Sequence, residues 1–122
     1  MTKILITDDE TEFVEMLAFR LAKTGGYEVF TAFDGEEGLK MLQEKMPDML
    51  ILDLAMPRMD GHEVLRQLKK NDRLKSIPVI VLTASASPKT MQELKGAGAK
   101  DYLVKPFDPA VLMAMIKKYL PA

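Results

Sequence analysis

The 122-residue sequence contains no cysteine, and its only histidine is His62. Without cysteine, the chain forms neither disulfide bonds nor thiolate metal sites. A lone histidine has no second imidazole with which to share a zinc ion. Any metal bound by this chain would therefore be held by oxygen atoms, which favours a hard cation.

The sequence also lacks a charge excess and a long apolar run. It has 17 basic and 18 acidic residues, so a net charge of −1 offers no general positive field for nucleic acid. No segment has the apolar length of a membrane span, and the N-terminus does not resemble a signal peptide. We therefore expect no direct nucleic-acid contact, no membrane insertion, and a chain compatible with the cytoplasm.

Length and composition favour one domain. Hydrophobic residues make up 48% of the chain and charged residues 29%, which is typical of a globular protein. No linker, repeat or low-complexity segment divides the sequence, and the last predicted helix ends close to Leu120-Pro121-Ala122. We expect a single domain over residues 1–122.

Short apolar segments alternate with segments of helical spacing. The predicted strands are Lys3–Thr7, Glu28–Ala32, Met49–Asp53, Val79–Thr83 and Asp101–Val104. The predicted helices are roughly Glu10–Lys23, Gly35–Glu44, Gly61–Lys70, Pro88–Lys95 and Pro109–Tyr119. The alternation predicts an α/β fold with a parallel, doubly wound sheet and helices on both faces.

Three helices carry more specific expectations. In the last helix, the spacing predicts one buried stripe of Val111, Leu112, Met115, Ile116 and Tyr119. The fourth helix has only Met91 and Leu94 as large apolar residues, which fits either a weakly anchored, mobile element or an ordinary short, exposed helix. In the first helix, Phe19 lies away from the main apolar stripe. It would either dock a phosphodonor or, as we favour, pack against the last helix.

Polar residues follow four of the five predicted strands. Asp8 and Asp9 come after the first strand, Asp53 and Thr83 end the third and fourth, and Lys105 follows the fifth. Because ligands of such sheets bind beyond the carboxyl ends of the strands, we expect these side chains to meet at one edge. Each alone has a simpler reading, such as a helix cap, a strand end or a solvated lysine, and only the joint placement favours a site.

The chemistry of this set is that of phosphoryl transfer. Three clustered carboxylates repel one another, and Mg²⁺, or alternatively Mn²⁺, would relieve that repulsion. Such a metal keeps coordination positions open for a phosphoryl oxygen, while a lysine and a hydroxyl could contact the others. A carboxylate can accept the phosphoryl group as an acyl phosphate.

Together, the segments ILITDDE, LILDLAMPRMDG, VLTA and DYLVKPF resemble the response-regulator receiver family of two-component systems, in particular the single-domain, chemotaxis-regulator-like type. The resemblance covers essentially the whole chain. It implies a flavodoxin-like fold with five helices and strand order 2-1-3-4-5. It also implies that Asp53 is the phosphoacceptor, with Mg²⁺ held by Asp8, Asp9, Asp53 and the backbone carbonyl of Ala55.

The same resemblance assigns the remaining roles. Lys105 would pair with Asp53 and then with the phosphoryl group, across a cis Lys105–Pro106 bond, while Thr83 and Tyr102 would be switch residues. The domain would catalyse only its own phosphorylation and dephosphorylation, and is therefore a signalling protein and not an enzyme. Its donor would be a sensor histidine kinase or a histidine phosphotransfer protein. Its output face would be the fourth helix, fifth strand and fifth helix, in a cytoplasmic monomer or a weak, phosphorylation-dependent dimer.

Three other classes fit less well. An aspartate-based phosphatase would need an acid two residues after its nucleophile, where this chain has Ala55. A flavodoxin-like cofactor binder would need a phosphate-binding loop after the first strand, where Asp8 and Asp9 would repel phosphate. A pseudo-receiver that only binds partners would not require the complete acidic set.

Overall fold

The computed structural model describes residues 1–85 and 87–120, so Pro121 and Ala122 of the expected domain lie outside the described residues. The strands are β1 Lys3–Thr7, β2 Glu28–Ala32, β3 Met49–Asp53, β4 Val79–Thr83 and β5 Asp101–Val104. The helices are α1 Thr11–Gly25, α2 Gly35–Lys45, α3 Gly61–Lys70, α4 Pro88–Gly96 and α5 Pro109–Tyr119. All five strands have their predicted bounds, and each helix end lies within two residues of its predicted position.

The strands form one parallel sheet in the order β2-β1-β3-β4-β5, which confirms the predicted topology. β3 lies at the centre, with Ile51 opposite Ile6 of β1 and Leu52 opposite Val81 of β4. Every residue of β3 and β4 is buried, as expected for apolar runs covered on both faces. The carboxyl ends of β1, β3 and β4 therefore open at one edge of the sheet.

Each face of the sheet has its own core. One core joins Leu50, Leu52 and Val81 to the apolar sides of α2, α3 and α4. The other joins Ile6, Ile51 and Leu82 to α1 and α5. Because successive residues of a strand point to opposite faces, each central strand contributes to both cores.

Four of the five helices begin with a side-chain cap. Asp34, Asp60, Ser87 and Asp108 each accept a hydrogen bond from a backbone N–H in the first turn of α2, α3, α4 and α5, respectively. Such caps satisfy backbone donors that the helix itself leaves free. α1 is different, because Glu10 occupies its N-cap position and makes no side-chain cap hydrogen bond.

One expectation about side chains is wrong in part, at Val111 of α5, and the expectation for Phe19 is wrong. The buried residues of α5 are Leu112, Met113 and Ile116, whereas Val111 is 48% exposed. α5 is apolar around most of its circumference, so spacing alone left the orientation of its buried face open. Phe19 is 62% exposed, and the Lys23 ammonium lies 5.9 Å from its ring centre, so Phe19 is not buried against α5.

Candidate functional site

Three carboxylates meet where β1 and β3 end side by side. Asp8 and Asp9 directly follow β1, and Asp53 is the last residue of β3. One oxygen from each carboxylate lies within 4.8 Å of the other two. Asp8 is completely buried and Asp53 is 6% exposed, while Asp9 faces solvent. The sheet thus brings together the three acids that the sequence placed at strand ends.

The electrostatic environment makes Asp53 unusually basic for an aspartate. Burial is the largest influence and, with the nearby charge of Asp8, raises the pKa of Asp53 to about 6. The charge of Lys105 and a backbone hydrogen bond from Ala55 oppose the rise without cancelling it. The charged form of Asp53 is therefore less favourable here than it is in water.

Lys105 reaches the cluster from the residue after β5. Its Nζ donates to Asp8 Oδ2 at 2.7 Å and to Glu10 Oε1 at 2.8 Å, and lies 3.8 Å from Asp53 Oδ1. Burial alone would lower the pKa of Lys105, but the hydrogen bonds to Asp8 and Glu10 outweigh it and raise that pKa. The Lys105–Pro106 peptide bond is cis.

Thr83 and Tyr102 lie on the two neighbouring strands. Thr83 is 5% exposed, and its hydroxyl accepts a hydrogen bond from the Ser85 N–H at 3.1 Å. The half-buried Tyr102 donates its hydroxyl hydrogen to Met91 Sδ of α4 at 3.2 Å. In this conformation both hydroxyl groups are engaged outside the carboxylate cluster.

The loop between β3 and α3 borders the cluster on its solvent side. It forms an open depression lined by Asp9, Leu54, Ala55, Met56, Pro57, Asp60 and His62. Arg58 in this loop has a left-handed backbone with φ of 66° and donates to Asp34 Oδ2 at 2.6 Å, which ties the loop to the start of α2. At Gly61, an added Cβ would lie 2.3 Å from the backbone oxygen of Asp53, so α3 begins in direct contact with the end of β3.

The residues of the cluster fit a divalent metal ion. All the candidate ligands are carboxylates, and oxygen donors are those that Mg²⁺ prefers. Burial and the nearby charge of Asp8 raise the pKa of Asp53, and a cation beside Asp53 would favour its charged form. Asp8, Asp9 and Asp53 could therefore hold Mg²⁺, with the backbone of Ala55 at the border of the same depression.

Comparison with known proteins decides the family. Residues 4–117 match the sequence model of the response regulator receiver domain. This chain belongs to that family. Receiver domains are the signal-receiving domains of response regulators in two-component systems. They are signalling proteins and not classical enzymes, and they generally bind Mg²⁺ at an acidic pocket.

Individual relatives agree with this assignment. The chain is 39% identical over 120 residues to the alkaline phosphatase synthesis transcriptional regulatory protein PhoP of Bacillus subtilis, covering 97% of this chain and 48% of PhoP. It is 35% identical over 120 residues to the DNA-binding dual master transcriptional regulator RpaA of Synechocystis, covering 98% of this chain and 49% of RpaA. The receiver domain thus spans about half the length of the curated relatives it matches.

A solved structure matches over its whole length. The chemotaxis response regulator CheY4 of Vibrio cholerae superposes with a TM-score of 0.91 at 38% identity, covering 98% of this chain and 99% of CheY4. The family implies interaction with histidine kinases or phosphotransfer proteins. Within the described residues, no helix has both the length and the apolarity to cross a bilayer.

Three contacts of the site and its surroundings were not predicted from the sequence. Glu10 contacts Lys105, Met91 accepts from Tyr102, and Arg58 pairs with Asp34. Glu10 directly follows the acidic pair, so its position in sequence was a usable signal. The contacts of Met91 and Arg58 depend on how separate elements pack, which no local pattern contains.

Proposed function

We propose that this receiver domain accepts a phosphoryl group on Asp53 from a phosphohistidine, in a Mg²⁺-dependent reaction. The observation that carries the proposal is the buried Asp53 carboxylate beside Asp8, Asp9 and Lys105. The donor would be a sensor histidine kinase or a histidine phosphotransfer protein. We further propose that residues 1–122 form a receiver domain that acts in the cytoplasm.

The carboxylate of Asp53 is the nucleophile in this proposal. One of its oxygens attacks phosphorus, the phosphorus–nitrogen bond of the donor breaks, and the electron pair leaves with the imidazole. Asp53 must be ionised to attack, and its pKa of about 6 leaves most of it ionised near neutral pH. Lys105 adds positive charge at the transferring oxygens.

A bound Mg²⁺ would supply further positive charge to the phosphoryl oxygens and lower the repulsion among the three acids. Asp8, Asp9 and Asp53 would hold it, with the carbonyl of Ala55 as a further ligand. The protein's own contribution is to keep these oxygens together in a partly buried edge of the sheet, where electrostatic interactions are stronger than in water.

Phosphorylation would then move the two hydroxyl groups described above. A phosphoryl group on Asp53 adds roughly −1.5 to −2 charge and strong acceptor oxygens. Thr83 would exchange its hydrogen bond with Ser85 for one with the phosphoryl group, and Tyr102 would leave Met91 as the surrounding space changes. The conformational equilibrium of the α4–β5–α5 face would shift, and that face would pass the signal to another protein.

We propose protein partners and not nucleic acid for this domain itself, because its net charge is −1. The domain would be a monomer, or a weak dimer that forms on phosphorylation. PhoP and RpaA are named transcriptional regulators, and each is about twice as long as this chain.

Acetyl phosphate provides the direct test, with intact mass spectrometry as the readout. We expect Mg²⁺-dependent addition of one phosphoryl group to the wild-type protein and none to Asp53→Asn. Asp72→Asn is the matched control, because Asp72 is an exposed aspartate whose carboxylate contacts only Lys75 among the described residues. It should label like the wild type.

Beryllofluoride binding covers the case in which fast hydrolysis hides the product. Wild-type protein that neither labels nor binds beryllofluoride with Mg²⁺ would contradict the proposal. Labelling that persists in Asp53→Asn would place the acceptor on another residue.

A further inference from the structure

The ammonium group of Lys105 is surrounded by four groups, and Asp53 is the most distant of its carboxylate partners. Nζ lies 2.7 Å from Asp8 Oδ2 and 2.8 Å from Glu10 Oε1, but 3.8 Å from Asp53 Oδ1. The ring centre of Phe13 lies 4.8 Å from Nζ. An ammonium group has three N–H donors, and two of them serve Asp8 and Glu10.

Glu10 and Phe13 hold Lys105 from the start of α1. Glu10 contacts the Lys105 ammonium from the N-cap position, and Phe13 contacts it from the first turn. Phe13 is itself fixed edge-on against Phe107, with ring centres 5.8 Å apart. The first turn of α1 therefore gives Lys105 a defined place beside the carboxylate cluster.

The way in which α1 begins points to the same role for Glu10. The other four helices start with a side chain that accepts a hydrogen bond from their own first turn. Glu10 makes no such bond. Its carboxylate accepts from Lys105 instead, across 95 positions of sequence. A contact that stabilises the helix is missing, and a contact with the reactive lysine is present in its place.

We propose that Glu10 is a positioning residue that draws the Lys105 ammonium away from Asp53 and holds it there in the unphosphorylated protein. This inference rests on the proposed phosphoryl transfer to Asp53. Glu10 lies outside the cluster of Asp8, Asp9 and Asp53, so a metal ion held there leaves Glu10 free to keep Lys105. Movement of Lys105 toward a phosphoryl group on Asp53 would lengthen or break its hydrogen bond to Glu10, and in this proposal Glu10 therefore slows phosphorylation.

Two substitutions at position 10 separate the contact from the charge. Glu10→Gln removes the charge, while Glu10→Asp keeps it on a side chain that is one methylene shorter. Asp is also a favourable N-cap residue, so Glu10→Asp should not weaken α1. We expect both variants to accept a phosphoryl group from acetyl phosphate, at saturating Mg²⁺, about two- to fivefold faster than the wild type, the range of a partly exposed ion pair.

Glu12→Gln is the matched control. Glu12 is an exposed acid in the first turn of the same helix, and none of the contacts of Lys105 involves it. It should label at the wild-type rate. Wild-type rates in Glu10→Asp, with or without acceleration in Glu10→Gln, would overturn the role of the contact. Equal acceleration by Glu12→Gln would overturn it as well, because charge alone would then explain the effect.

A double-mutant cycle tests the pairing without metal or phosphoryl donor. Unfolding is measured for the wild type, Glu10→Gln, Lys105→Met and the double variant. We expect a coupling of about two- to fivefold in the unfolding equilibrium constant. Additive effects of the two substitutions would overturn the pairing.

The two proposals fail in different ways. If the wild type neither labels nor binds beryllofluoride, the phosphoryl transfer to Asp53 is wrong, and the role of Glu10 in it is wrong too. If the wild type labels and the Glu10 variants label at the same rate, only the role of Glu10 is wrong.

Discussion

The region of β3 and α3 and the region of β5 and α4 are packed very differently. In the first region, α3 buries Gly61, Val64, Leu65 and Leu68, and every residue of β3 is buried. In the second region, α4 buries only Leu94, and all four residues of β5 are half-buried. The proposed acceptor Asp53 belongs to the tightly packed region, whereas Tyr102 belongs to the loosely packed region.

The difference follows from sequence and topology. α3 has a clear division between apolar and charged faces, while α4 is a nine-residue helix with few apolar side chains. β5 is an edge strand and has a hydrogen-bonded neighbour on one side only. Regions with few buried apolar contacts unfold locally at a lower free-energy cost. The α4–β5 region should therefore respond to a charge gained at Asp53 more readily than α3 does.

The largest effect should come from truncating the well-packed region. Leu65→Ala removes a fully buried side chain of α3 and should lower the free energy of unfolding by about 3–5 kcal/mol. Urea denaturation measures this loss. The neighbouring, exposed Arg66→Ala should cost well under 1 kcal/mol and serves as the control. A loss below 1 kcal/mol for Leu65→Ala would show that α3 is not the better-anchored helix.

The equivalent truncation in the other region should cost less. Leu94→Ala should destabilise by about 2 kcal/mol, because α4 has room to settle around the missing side chain. Hydrogen exchange should show loss of protection in the amides of α4, with those of α3 unchanged. Equal loss in both helices would mean that the two regions open together.

Asp53→Asn should stabilise the protein in the absence of metal. The pKa of Asp53 rises from 3.8 to about 6 on folding, so ionising it opposes folding. The penalty is absent below pH 3.8, grows as the pH rises to about 6, and is complete above that. At pH 7 the variant should gain about 1–2 kcal/mol over the wild type, allowing for solvent screening.

The pH dependence of that gain is the decisive measurement. Unfolding between pH 3.5 and 8 should show the two proteins converging in acid, and Mg²⁺ should stabilise the wild type more than the variant. Asp72→Asn should follow the wild type at every pH. A pH-independent gain would show that the charge of Asp53 is not the source of the penalty.

The smallest effect on stability should come from Met91→Leu. The change keeps the size of the side chain and should alter the free energy of unfolding by less than about 1 kcal/mol. It removes the sulfur that accepts the Tyr102 hydroxyl, so Tyr102 should leave α4 more often. NMR of the Tyr102 ring would detect this, and an unchanged ring signal would show that the sulfur contact does not hold Tyr102.

The sequence predicted the strands well because their signals are local, and the resemblance to receiver domains supplied their order. Continuous apolar runs and their polar ends bound β1, β3 and β4, and the matched motifs fixed the topology. The side-chain orientation of α5 was predicted wrongly at Val111, because an almost uniformly apolar helix offers several faces to a core. The prediction for Phe19 was wrong for a related reason. Helical spacing shows the direction of a side chain but does not show whether another element packs against it.

The site was predictable as a set of residues but not as a set of contacts. Strand ends placed Asp8, Asp9, Asp53, Thr83 and Lys105 at one edge. Lys105 Nζ lies 2.8 Å from Glu10 Oε1 and 3.8 Å from Asp53 Oδ1, so about one ångström decides which carboxylate it hydrogen-bonds. Such differences arise from the packing of α1 against the loop after β5, and residue spacing carries no information about them.

The contact between Gly61 and the end of β3 limits how this sequence can vary. Even a methyl group at position 61 would meet the backbone oxygen of Asp53 at 2.3 Å and Leu54 Cα at 2.7 Å. Any larger residue must push α3 away from the strand that carries the proposed acceptor, although the side chain of Gly61 has no functional group. In a library that samples all residues at each position, fewer replacements of Gly61 than of Asp9 should give a folded protein. Position 61 requires empty space, whereas the side chain of Asp9 faces solvent.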